Sequence, residues 1–181
     1  MYRGHVMNNS LLQLQTELIS ALKGLDATHT QLRPPKRPDK WSIQQIADHL
    51  LLSYKGTQNG IQARLAKGTP TLARPSTLQR FVQYTLTGLG YFPRGRKAPP
   101  SVIPDEHPEP LTGAQLSQLV EDHLTCLDSL FKDAEALFGG GRCISHPVLG
   151  PLSIHQWRRF QLIHGQHHIR QILAIRAAHN L

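Results

Sequence analysis

Three histidines fall within five positions of the stretch "LIHGQHHIRQI", residues 162–172. On a helix that advances about 100° per residue, His164 and His168 stand one turn apart, close in angle to Trp157, Phe160, Ile172 and Ile175. Arg158, Arg159, Arg170 and Arg176 fall well round toward the other side. His167 lies on the shoulder of the apolar stripe and Gln171 lies within it. Imidazoles that face a core need partners, because an unsatisfied buried polar group is costly, and one divalent cation satisfies two rings at once. The i, i+4 spacing sets the rings side by side, as on metal-binding helices. The competing reading is a pair of hydrogen-bonded core histidines.

Two histidines hold a metal weakly, so a third ligand is expected from another element. His49, His123 and His146 are the candidates. His123 reads as the middle of an apolar stripe with Leu116, Leu119 and Leu130. His49 lies on the flank of another stripe, beside Ser53, Gly56 and Gly60, whose small side chains would leave room for a cavity. His146, in "SHPVLG", stands just before the last helix, where it would reach the mouth of a site or cap the helix. Periodicity does not choose among them.

Four long helical segments must position these residues. Leu11, Leu14, Leu18 and Leu22 define an amphipathic helix over 9–25. Ser42 and Gln45 form a capping box that starts a second helix running to about Lys67. A third spans Thr112 to Phe138, stopped by "GGG" at 139–141. A fourth starts at a second capping box, Ser153 and Gln156, and runs to about His179. Little strand signal is visible. These lengths predict an all-α domain over residues 1–181, a four-helix bundle with a crossover at about 68–111 between the second and third helices. Pro93, Pro99, Pro100, Pro104, Pro108 and Pro110 interrupt that crossover, leaving room only for fragments such as "STLQRFVQYTLTGL". It would act as a lid or as a tether.

The net charge of +8 is localised. Residues 49–104 contain no Asp or Glu but hold Lys55, Arg64, Lys67, Arg74, Arg80, Arg94, Arg96 and Lys97. Such a field favours an anionic partner: a small acidic molecule, a phospholipid surface or nucleic acid. Nucleic acid is disfavoured, because no recognised motif and few aromatics accompany the charge. The segment "MYRGHVMNNS" lacks the apolar run of a signal peptide, and no stretch approaches the length of a membrane span. Cys126 and Cys143 form no metal or redox spacing and read as reduced thiols, Cys126 in a core. The expectation is a cytoplasmic protein with no membrane partner.

The segments "RPDKWSIQQIADHL" and "HPVLGPLSIHQWRRFQLIHGQHHIRQI" resemble the DinB-like superfamily of four-helix-bundle metalloproteins, which includes bacillithiol and mycothiol S-transferases. The resemblance extends over roughly residues 8–178 and is poor between the two segments. The subgroup it resembles most has no assigned function and is marked by the H-P-x-x-G element. It implies a three-histidine metal site at His49, His164 and His168, with His123, His146, His167 and Gln171 left to support or orient the ligands. It also implies a homodimer.

Three neutral histidines leave a divalent ion with open positions, the arrangement of a catalytic site. Zinc is the first expectation, with nickel, manganese or iron also compatible with imidazole. Either a water or a low-molecular-weight thiol would be activated, giving a hydrolase-like or thiol-transferase-like enzyme acting on a small anionic or thiol-containing molecule. No acidic residue occurs in 136–181, so the carboxylate base of an H-E-x-x-H peptidase is missing. Asp48 reads as solvent-facing. The rival expectations are a non-catalytic metal- or ligand-binding stress protein and a basic nucleic-acid-binding bundle.

Overall fold

Side-chain caps set the helix starts. In the computed structural model, which describes residues 7–90 and 98–181, Ser42 Oγ accepts from the Gln45 amide while Gln45 Oε1 accepts from the Ser42 amide. The same reciprocal box recurs at Ser76/Gln79, Thr112/Gln115 and Ser153/Gln156. The resulting elements are α1 (Asn9–Leu22), α2 (Ile43–Lys67), α3 (Thr77–Gln83), α4 (Gly113–Phe138) and α5 (Ile154–Ala178). A π-helical turn, Tyr84–Gly88, continues α3. Gly68 closes α2 in the left-handed conformation, which only glycine adopts without cost.

The protein is mostly helical, but it is not purely so. A two-stranded antiparallel sheet, β1 (Arg142–His146) and β2 (Gly150–Ser153), precedes α5, with a bulge between Arg142 and Ile144. The expectation of little strand structure is corrected here: each strand is only four or five residues long, too short for alternation to declare itself.

The core forms because α1 and α2 each pack against both α4 and α5. Leu11, Leu14, Leu18 and Leu22 of α1 meet α4's Leu116, Val120, Leu124, Leu127 and Phe131 within one buried cluster. Each such buried side chain contributes roughly 1.5–3 kcal/mol through removal of apolar surface from water. Gly165 lets α5 approach α1, since a methyl group there would collide with Leu14 Cδ1. Cys126 is exposed while Cys143 is buried, the reverse of the expectation for Cys126. The buried face of α4 runs through 116, 120, 124 and 127, which turns 126 outward.

The second half of the crossover is strapped to α2 by buried amides. Gln44 Nε2 donates to Glu109 O (2.9 Å), and Gln45 Nε2 donates to Asp105 O (2.8 Å) and Glu106 O (3.2 Å). Gln44 Oε1 accepts from the Leu111 amide at 2.8 Å. These bonds satisfy the polar groups of a proline-broken segment that has no ladder of its own. Arg94, Arg96 and Lys97 lie outside the described residues. No helix among the described residues is long and apolar enough to cross a membrane.

Candidate metal centre

The α2 capping box fixes the register that turns His49 inward, and α5 supplies His164 and His168 from successive turns. All three are buried. His49 Nε2 lies 3.2 Å from His164 Nε2, which lies 3.1 Å from His168 Nε2. The ligating atoms of the three all fall within 4.8 Å of one another, and among the described residues they form the only such group of His, Cys, Asp or Glu. A tetrahedral ion about 2.0–2.1 Å from each nitrogen sets its ligand nitrogens about 3.3 Å apart. The observed spacing therefore suits a shared cation.

Tautomer chemistry points the same way. His49 Nδ1 lies 2.7 Å from the Val102 carbonyl, which can only accept, so Nδ1 carries the proton and Nε2 presents a lone pair. His168 Nδ1 lies 2.8 Å from Gln171 Oε1, with the same consequence. Gln171 Nε2 donates in turn to His167 Nε2 at 3.3 Å. Two bare lone pairs thus converge on His164 Nε2, which can donate to only one of them. A cation resolves the conflict, and the three-nitrogen donor set fits a divalent ion.

Burial keeps the three rings neutral, as ligands must be. It holds His49 below its usual value against the opposing Val102 carbonyl, and drives His168 down to about 3 with help from His49. His164 falls well below its usual value, by burial first and by the neighbouring imidazoles after that. Trp41 packs on His49 (4.9 Å between ring centroids) and Phe160 stacks on His164 (5.3 Å), so an apolar wall encloses the trio.

The remaining sequence candidates are distributed around this centre. His146 Nδ1 accepts from the Val148 and Leu149 amides, both at 3.1 Å, and so locks the β1–β2 turn. Its ring meets Phe160 edge-on at 4.6 Å, and burial pushes it to about 4. His123 is half-buried and joins the trio nowhere. Its backbone carbonyl accepts from Gln58 Nε2 at 2.8 Å, and its ring lines a separate cavity of about 370 Å³ with Asp48 and Lys55. Asp48 is not simply solvent-facing: half-buried in that cavity, its carboxyl rises to about 6 through desolvation, with Asp105 adding to the rise. The room expected beside Gly60 is filled by Ile144 Cδ1, so the hairpin occupies that space. Sequence reasoning missed Val102, the crossover carbonyl that orients His49; a backbone acceptor leaves no residue-type signal.

A family model described as "Protein of unknown function (DUF1569)" matches residues 10–174, so the chain belongs to that family. No curated protein and no solved structure matches the chain.

Proposed function

We propose that His49, His164 and His168 hold one divalent cation, zinc first, in a metal-dependent enzyme. In this reading α1, α2, α4 and α5 form a four-helix bundle of the DinB-like kind, and the reaction is thiol-transferase-like or hydrolase-like. The single observation that carries it is the convergence of two tautomer-fixed lone pairs on a third imidazole nitrogen within a buried pocket. With only three protein ligands, the ion would supply Lewis acidity to a water or thiol in a remaining position.

Transfer of a thiol is favoured over hydrolysis. No carboxylate is among the described partners of the three rings, so the described residues offer water no carboxylate base in contact with the ligands. A thiol needs less help, because its ordinary pKa already lies far nearer neutrality than that of water. Val102 O and Gln171 hold the ligand rings, while Trp41 and Phe160 keep bulk water from them. A small anionic or thiol-containing partner and a homodimer belong to the same reading.

The discriminating experiment is a screen of zinc-loaded protein with low-molecular-weight thiols and model electrophiles, beside esters and amides. Thiol consumption that His164→Ala abolishes is expected. Ester or amide turnover with no thiol consumption would make the protein a hydrolase, and turnover in neither arm would leave a metal- or ligand-binding protein.

A further inference from the structure

A second site, separate from the histidines, lies on the outer side of α5. There α3 with its π-helical turn and the first two turns of α5 enclose a groove of about 340 Å³. Arg80 and Tyr84 stand on one wall, and His155 and Arg159 on the other. We propose that this groove binds a tetrahedral oxyanion, phosphate or the phosphoryl group of a small molecule, between Arg80 and Arg159.

Both walls come from stretches without acidic residues. Residues 49–104 and 136–181 contain no Asp or Glu, so neither arginine has a carboxylate neighbour in its own segment. Among the described residues the Arg80 guanidinium makes no hydrogen bond or ion pair, its hydrogen bonds being those of its backbone, and the Arg159 guanidinium uses only its Nε, at 3.4 Å from Thr87 O. The adjacent Arg158 shows the contrast: it is buried, and its guanidinium donates to Glu135 at 2.8 Å. Arg80 and Arg159 therefore leave terminal N–H groups for a ligand.

The groove is also held open from behind. Gln83 is buried; its Nε2 donates to Leu149 O (2.7 Å) and Pro151 O (3.1 Å), and its Oε1 accepts from Gln156 Nε2 (3.3 Å). These bonds tie α3, the hairpin and α5 together, so little ordering remains to be done on binding. A carboxylate is satisfied by one guanidinium fork, whereas a tetrahedral oxyanion offers oxygens to two forks approaching from opposite walls. π-helical turns such as Tyr84–Gly88 are frequent at functional sites.

The test is an amide NMR titration of the whole chain with inorganic phosphate, with chloride as the control. Saturable shifts at Tyr84, Thr87, Gly88 and Gln156 are expected, and Arg80→Gln or Arg159→Gln should each weaken binding by about ten- to hundredfold. Arg80→Lys and Arg159→Lys should restore part of it, and Lys67→Gln, at the exposed end of α2, should leave it unchanged. The shifts should persist in His164→Ala; their loss there would place the anion at the histidines and overturn the proposal. Unsaturable shifts scattered over the basic surface, or equal shifts with chloride, would overturn it too. Sedimentation with phosphatidylcholine vesicles, with and without phosphatidylglycerol, separates the sources. Binding to anionic vesicles without a response to inorganic phosphate would contradict a small-molecule site.

Discussion

His49 Nε2 and His164 Nε2 stand 3.2 Å apart although 115 residues separate them in the chain. That approach requires α2 and α5 to be fixed to each other, and it requires the α2 ring to present a lone pair. The crossover does the second task through Val102 O, so a segment far from α5 in sequence determines which His49 nitrogen faces the site.

Gln171 orients His168 as Val102 orients His49. Gln171→Leu removes the acceptor of the His168 Nδ1 proton, and metal affinity should fall by about 10–100-fold. Competition with a chromophoric chelator reads the change, while an unaltered circular dichroism spectrum excludes unfolding. Equal affinity in the variant would mean that packing alone holds the ring.

Much of the frame was legible in the sequence. The capping boxes at Ser42 and Ser153 mark the starts of α2 and α5, and the 100° step per residue puts His164 and His168 on the face that is buried. Periodicity failed where an apolar stripe was broad. Leu116, Leu119 and Leu130 suggest an inward His123, yet the buried line of α4 runs on from Leu116 through Val120 and Leu124, whose mean direction lies about 60° away, leaving His123 half-buried. Only the family resemblance favoured His49. The hairpin, the Ile144 plug over Gly60 and the Val102 bond depend on contacts between distant segments, which no local pattern encodes.

In metal-free protein His146 adds to the pH dependence of stability that the three buried site histidines also confer. Burial lowers its pKa to about 4 from an unfolded value near 6.5, so the unfolded state binds the extra proton between those limits. Its contribution is complete above pH 6.5 and is lost as pH falls toward 4, on the order of 2–4 kcal/mol in chelator-treated protein. His146→Asn keeps a side-chain acceptor for the Val148 and Leu149 amides but has no titrating ring. Denaturant unfolding across this range should give a flatter profile for the variant; an identical profile would refute the assignment.

Gly165 sits between the two α5 ligands at the contact with α1. Gly165→Ala drives a methyl group against Leu14 and should destabilise the fold by about 1–3 kcal/mol. Thermal unfolding measures the loss. The double variant Gly165→Ala/Leu14→Ala should regain part of it, because the colliding atoms are gone; no recovery would show that the strain lies elsewhere.

The two thiols should separate cleanly under alkylation. Cys126 is exposed, whereas Cys143 is buried and burial raises its pKa to about 11. Native protein treated with a maleimide should show a single fast adduct, mapped to Cys126 by peptide mass spectrometry, and a second only after denaturation. Rapid native labelling of Cys143 would contradict its burial within β1.

The most direct measurement is a zinc titration against a chromophoric chelator, run on the parent chain and on His49→Ala, His164→Ala and His168→Ala, each checked for folding by circular dichroism. One equivalent per chain is expected, with each substitution weakening binding by more than the roughly 100-fold upper end for losing an outer hydrogen-bond partner. Failure of the parent chain to take up zinc or any other divalent ion, or uptake that survives these substitutions, would contradict that expectation.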